Sequence, residues 1–119
     1  MSTKRLYPDP MTSPRQNKMR VFLRDLAAHF FRRESGINSL ITVTDVSISP
    51  DFKNATIFIT TLPTSEEERA LDFARRKRSE LREYISKAHA NLRTLPLLEI
   101  RIDEGERNRQ KIDELSQQG

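Results

Sequence analysis

The chain has 119 residues, of which 35% are hydrophobic and 32% charged, so it holds enough apolar material for one small domain. It contains no cysteine, which excludes disulfide scaffolds, thiolate zinc sites and cysteine nucleophiles. No stretch approaches the roughly 18 apolar residues of a membrane span, and the first residues lack a secretory signal, so we expect a cytoplasmic protein.

The formal net charge of +4 is unevenly distributed along the chain. Residues 1–40 carry +5 and residues 70–93 carry +4, whereas residues 41–69 and 94–119 carry −3 and −2. Alternating basic and acidic segments indicate a protein that faces a polyanion on one side. The two basic segments are therefore the candidates for a nucleic-acid contact.

The beginning of the chain predicts a flexible arm followed by a helix. Residues 1–12 show no periodicity, and the pair Ser13-Pro14 is typical of a helix start. Apolar residues then recur at three- and four-residue steps and predict a helix over about 15–34, ended by Ser35-Gly36. Its apolar face comprises Met19, Phe22, Leu23, Leu26, Ala27 and Phe30. Arg20, Arg24 and Arg32 lie off that face.

The following segment predicts an antiparallel hairpin. Residues 40–49 alternate at period two and are rich in β-branched side chains, as in a strand. One predicted face holds Leu40, Thr42, Thr44, Val46 and Ile48, and the other holds Ile41, Val43, Asp45 and Ser47. Turn residues follow from Ser49 to Asn54. In the second strand, which Pro63 ends, we expect Ala55, Ile57 and Ile59 to point inward and Thr56, Phe58 and Thr60 to lie on the other face.

The second half of the chain predicts two helices and a third strand. Ser65 and Glu68 form a capping box that indicates a helix start. The apolar stripe behind it comprises Leu71, Ala74, Leu81, Ile85, Ala88 and Leu92. Lys77 and Arg78 interrupt this stripe, so we predict two helices that meet at a kink near 76–80, with one continuous helix as the alternative. Pro96 ends the helix, and Leu98, Ile100 and Ile102 alternate as a strand.

The order helix, strand, strand, helix, helix, strand predicts an α+β domain over residues 13–103. We expect the helices to pack on one face of a three-stranded sheet. Residues 104–119 form a polar tail, in which we expect Ile112 and Leu115 to dock and the remainder to fray.

The strongest nucleic-acid candidate is an arginine-rich stripe on the predicted helices. Arg75, Arg78, Arg82, Ser86, His89 and Arg93 recur at steps of three or four and would share one face of an unbroken helix. Arginine pairs bidentately with phosphate, and neighbours about 5–6 Å apart can follow a nucleic-acid backbone. The alternative is a solvated helix face whose bases pair with Glu80 and Glu83.

The candidate RNA-binding residues follow from that stripe and from the first helix. The expected main phosphate contacts are Arg75, Arg76, Arg78, Arg82 and Arg93, and the further RNA-binding candidates beside them are Lys77, Lys87 and His89. The helpers are Lys18, Arg20 and Arg24, together with Lys4 and Arg5 of the arm.

The sequence offers no pattern for catalysis or for a cofactor. The only glycines are Gly36, Gly105 and Gly119, so no phosphate-binding glycine loop can form. His29 has no nucleophile at a readable spacing and is interpreted as a surface residue, while Phe58 and Tyr84 are interpreted as packing residues. We therefore expect no enzyme, no metal, no cofactor and no small-molecule substrate.

The predicted element order is that of a type II KH domain. Its elements carry, in chain order, Arg15, Arg20-Val21, Ile41-Thr42-Val43-Thr44-Asp45-Val46, Ser49, Asp51, Ala55, Leu92-Arg93, Pro96, Asp103 and Ile112-Asp113-Glu114-Leu115. With these residues at these spacings, the chain resembles the ribosome-binding factor A family over about residues 13–115. In that family a kink reading Ala-x-Gly replaces the glycine loop of KH domains. Counted back from Pro96, the matching positions here are Arg78-Ser79-Glu80.

The resemblance implies a cytoplasmic, non-enzymatic assembly factor that binds the small (30S) ribosomal subunit and its 16S rRNA. It implies a role in late maturation, including processing of the 5′ end of the rRNA precursor, with most importance in the cold. We expect a monomer that contacts no membrane. The alternative is a KH-like interaction module that holds a protein partner with the Phe58 sheet face or the long helix, an interpretation favoured by the missing glycine loop.

Overall fold

The computed structural model describes residues 13–34, 40–88 and 95–118. Its elements are α1 (Pro14–Glu34), β1 (Leu40–Ile48), β2 (Asn54–Leu62), a 3₁₀ turn (Thr64–Glu66), α2 (Glu67–Arg76), α3 (Arg78–Ala88), β3 (Leu97–Ile102) and α4 (Glu104–Gln118). The predicted α+β order is confirmed. None of these helices is long and apolar enough to cross a membrane.

The start of α1 is fixed by a reciprocal cap. The Ser13 hydroxyl accepts the backbone N–H of Gln16 at 3.1 Å, and the Gln16 side chain accepts the N–H of Ser13 at 3.0 Å. These two bonds satisfy donors that a helix start otherwise leaves unpaired. The predicted apolar face is confirmed, because Leu23, Ala27 and Phe30 are buried.

The sheet has the strand order β1-β2-β3, with β2 antiparallel to β1 and parallel to β3. Helices α1, α2 and α3 pack with the inward face of this sheet around one core. The predicted inward residues of β2 are confirmed, since Ala55, Ile57 and Ile59 are buried, and Ile100 of β3 is buried beside them. Because β3 pairs only with β2, it is an edge strand, and its outer side faces the neighbouring helices.

The predicted alternation in β1 is wrong, because a β-bulge interrupts the strand at Thr44. Val43 pairs with Ile59 and Asp45 pairs with Phe58, so Thr44 is an extra residue. An extra residue moves all later side chains to the other face. Ile41 and Val46, predicted on opposite faces, are therefore both buried in the core.

The predicted kink between α2 and α3 is confirmed, and it lies at Lys77, which has φ −87° and ψ 2°. The N–H of Lys77 donates to the carbonyl of Phe73, and the Lys77 carbonyl accepts the N–H of Leu81, so each helix ends or begins at this residue. Arg78-Ser79-Glu80 therefore form the first turn of α3 rather than the kink itself.

Two expectations about these helices are wrong. The Ser65 and Glu68 capping box is not formed, because the 3₁₀ turn occupies Thr64–Glu66 and Glu66 caps α2 without a side-chain hydrogen bond. Ala88, predicted on the apolar stripe, is exposed, whereas Leu81 and Ile85 are buried. Leu92 lies outside the described residues.

The expectation of a fraying tail is wrong over residues 104–118, which form α4. Asp103 caps this helix by accepting the N–H of Glu106 at 3.2 Å, and its other oxygen accepts the Thr44 hydroxyl at 2.6 Å. Arg107 adds an ion pair with Glu67 at 3.0 Å. Ile112, expected to dock, is 63% exposed.

Candidate nucleic-acid interface

Three arginines of the predicted stripe lie along the outer edge of β3. Arg75 Nη2 donates to the carbonyl of Ile100 at 3.3 Å, and Arg78 Nη1 donates to that of Leu98 at 3.4 Å. Arg82 donates to the carbonyls of Pro96 at 2.6 Å and of Leu95 at 3.3 Å. We call Arg75, Arg78 and Arg82 the edge arginines.

The strand sets the spacing of the edge arginines. Their main acceptors, Ile100 and Leu98 of β3 and Pro96 just before it, lie two residues apart, which corresponds to about 6.6 Å in a strand. A guanidinium has five N–H donors, and the carbonyl bonds occupy one on Arg75, one on Arg78 and two on Arg82. Arg75 and Arg78 are exposed, so their remaining donors are open to an anion from solvent.

No carboxylate among the described residues forms an ion pair with Arg75, Arg78 or Arg82, so the charge of the edge arginines is not compensated within that part of the chain. A carbonyl orients a guanidinium by its dipole and carries no formal charge, so each anchored arginine keeps its full positive charge. The two glutamates of the alternative interpretation pair instead with lysines, Glu80 with Lys77 at 3.2 Å and Glu83 with Lys87 at 3.1 Å. The edge therefore combines fixed geometry with positive potential.

The other candidates on α2 and α3 differ in their surroundings. Lys77 lies at the kink between Glu34 at 3.7 Å and Glu80, and over the Phe73 ring, so its charge is largely engaged. Among the described residues, Arg76 is exposed and has neither a hydrogen bond nor an ion pair. His89 and Arg93 lie outside the described residues, as do Lys4 and Arg5.

The additional RNA-binding candidates of α1, which are Lys18, Arg20 and Arg24, differ in their contacts. Arg20 is half-buried and donates to Asp45 at 2.7 Å and to the Asn17 side chain at 3.1 and 3.2 Å, so it serves to join α1 to β1. Arg24 has only a 3.5 Å pair with the adjacent Asp25, and Lys18 is exposed without a partner among the described side chains.

The turn between β1 and β2 contains a feature that the sequence did not reveal. Phe52 has φ 61°, in the left-handed region, and the Arg15 guanidinium lies 5.4 Å from the centre of its ring. A phenylalanine in a turn does not by itself predict a positive φ. Within the described part of the chain, no group of three or more acidic or histidine side chains could hold a metal ion.

The sequence matches the family model described as ribosome-binding factor A over residues 15–116. A ribosome-binding factor A from Thermomicrobium roseum is 31% identical over 111 residues, which cover 91% of this chain and 85% of that protein. The chain belongs to the ribosome-binding factor A family. A relative of the same name from Rhodopseudomonas palustris is 39% identical over 77 residues, which cover 64% of this chain and 55% of the relative.

Solved ribosome-binding factor A structures share the fold. The crystal structure from Thermus thermophilus aligns with a TM-score of 0.64 at 23% identity and covers 73% of this chain and 94% of that one. A Thermus thermophilus homology model fitted into the map of a 30S complex with ribosome-binding factor A aligns with a TM-score of 0.60 at 24% identity, covering 69% and 88% of the two chains.

Proposed function

We propose that this protein binds the small ribosomal subunit through phosphates of its 16S rRNA and assists late maturation of that subunit. The role includes processing of the 5′ end of the rRNA precursor in the cytoplasm and is most important in the cold. Membership of the ribosome-binding factor A family supports the proposal, as does the 30S complex of the Thermus relative. The protein acts as a monomer and catalyses no reaction.

The row of edge arginines carries the proposal. Ordering a free arginine on a ligand loses side-chain entropy, and anchoring on the β3 carbonyls has already restricted Arg75, Arg78 and Arg82. Their uncompensated charges can displace counterions from an RNA backbone, which makes binding favourable and dependent on salt. Arg76 and Lys18 add positive charge outside this row.

Contacts of this kind recognise the position and shape of folded RNA rather than its base sequence. Phosphate contacts fix the orientation of a protein on nucleic acid without reading bases. Double-stranded RNA in particular is recognised mainly by its shape and by its backbone. We infer that specificity for the small subunit comes from the arrangement of rRNA strands across the basic surface.

Co-sedimentation with purified small and large ribosomal subunits over a series of salt concentrations tests the proposal. We expect the protein to bind the small subunit alone, with an affinity that falls steeply as salt rises. Absence of binding to the small subunit would overturn the proposed function. Binding that is insensitive to salt would favour the alternative, an interaction module that holds a protein partner.

A further inference from the structure

The turn between β1 and β2 is tightly constructed around an aromatic residue. The Asp51 carboxylate accepts the Ser49 hydroxyl at 2.6 Å and the N–H of Lys53 at 3.0 Å, while the Ser49 hydroxyl accepts the N–H of Asn54 at 3.0 Å. These bonds from Ser49 and Lys53 lower the pKa of Asp51 below its ordinary value. The turn therefore holds Phe52 in one conformation at the end of the hairpin.

The conformation of Phe52 is unfavourable for its residue type. At φ 61° the Cβ atom crowds the backbone, and a bulky side chain there is an outlier that glycine or asparagine would avoid. The ring does not join the hydrophobic core around Ile57 and Leu23, and it is half-buried, with the Arg15 guanidinium 5.4 Å from its centre. Core packing therefore does not account for an aromatic residue at this position.

Two cations and one carboxylate surround Phe52, beside the start of β3. Arg15 lies over the Phe52 ring and Lys53 follows it in the turn, both exposed, while the ionised Asp51 accepts the turn's own donors. The carbonyl of Lys53 accepts the N–H of Leu97 at 2.8 Å, next to the Pro96 carbonyl that Arg82 holds. The start of β3, where Arg82 is anchored, is therefore hydrogen-bonded to the hairpin end that carries Phe52.

We propose that Phe52 and Arg15 form a stacking platform for an unpaired RNA base. This inference rests on the proposed function and extends it, since the same RNA strand would place its phosphates on the edge arginines. Aromatic rings and guanidinium planes both stack on bases, and a positively charged surround holds the adjoining phosphates. The left-handed turn presents the ring at the surface, where a base can reach it.

Phe52→Gly removes the ring and keeps the turn, because glycine adopts φ 61° without strain. Phe52→Tyr retains a stacking surface, and Leu62→Ala is the matched control, since Leu62 is an exposed apolar residue at the opposite end of β2. The affinity of each protein is measured for purified small subunits and for two fluorescent probes, an oligoadenylate of about 15 nucleotides and an abasic oligoribonucleotide of the same length.

We expect the wild-type protein, the Phe52→Tyr variant and the Leu62→Ala variant to bind oligoadenylate about five- to tenfold more tightly than the abasic probe, a ratio within the range for stacking one base on an aromatic ring. Phe52→Gly should abolish that preference and weaken subunit binding about fivefold, with the dependence on salt unchanged because no charge is lost.

Equal affinity of wild type and Phe52→Gly for both oligonucleotides would overturn the platform, even if the wild type binds small subunits in a salt-dependent way. A Phe52→Gly effect seen with subunits and absent with oligoadenylate would also overturn it and would assign the turn to a ribosomal protein. Failure of the wild type to bind small subunits would instead contradict the proposed function itself.

Discussion

Arg20 and Arg78 show two ways in which this fold holds an arginine side chain. Arg20 lies half-buried against Asp45 and Asn17, and its charge is compensated at 2.7 Å by a carboxylate. Arg78 lies on the exposed edge of β3 and is held by a neutral carbonyl. An arginine anchored on an anion has its charge compensated within the fold, whereas one anchored on a carbonyl does not, and we propose that this second kind binds RNA phosphates.

Arg20→Met tests the structural side of this comparison and has the largest expected effect. Removing the guanidinium leaves the half-buried Asp45 without its cation, which we expect to lower the free energy of unfolding by about 2 kcal/mol. Urea denaturation followed by circular dichroism measures this value. Arg24→Met is the control, since its weak pair with Asp25 should contribute less than about 0.5 kcal/mol.

Subunit affinity of Arg20→Met should stay within about twofold of the wild type below the unfolding transition, because the Arg20 donors are directed at Asp45 and Asn17 and the charge left on Asp45 is screened by salt. A large loss of affinity in the folded variant would show that Arg20 contacts RNA and would remove the distinction between the two arginines.

Arg82 is half-buried like Arg20 and anchored on carbonyls like Arg78. We expect Arg82→Met to lower the free energy of unfolding less than Arg20→Met does. The side chain is half-buried and holds two carbonyls at the start of β3, so we expect a loss of about 1 to 1.5 kcal/mol in the free energy of unfolding. Arg82→Lys keeps the charge and can donate to one of the two carbonyls, so it should recover about half of that loss in the same denaturation experiment. Equal stability of all three proteins would mean that the carbonyl bonds do not hold this edge.

Much of the fold was predictable because the spacing of apolar residues along the chain indicates which side chains are buried. The faces of α1 and β2 follow from three- and two-residue spacing, and the kink at Lys77 follows from the basic residues that interrupt an apolar stripe. The bulge at Thr44 could not be predicted, since the β-branched run continues through it unbroken. The residue types of one strand do not indicate the register in which it pairs with its neighbour.

The candidate site was predictable only as a set of residues. Helical spacing correctly places Arg75, Arg78 and Arg82 on one side of α2 and α3. It could not show that β3 carbonyls face them, because those acceptors belong to a strand distant in sequence. Nor could it separate Arg20 from Arg24, since the partner Asp45 lies in another element.

The most direct test of the central claim is the slope of log affinity against log salt concentration for small-subunit binding by the wild type, Arg75→Gln/Arg78→Gln and Arg20→Met. We predict at least a tenfold loss of affinity for the double variant, about 1.4 kcal/mol. Its slope should be shallower by about 0.7 for each arginine removed. The slope of Arg20→Met should match that of the wild type. An unchanged slope in the double variant would contradict the claim that the edge arginines bind RNA phosphates.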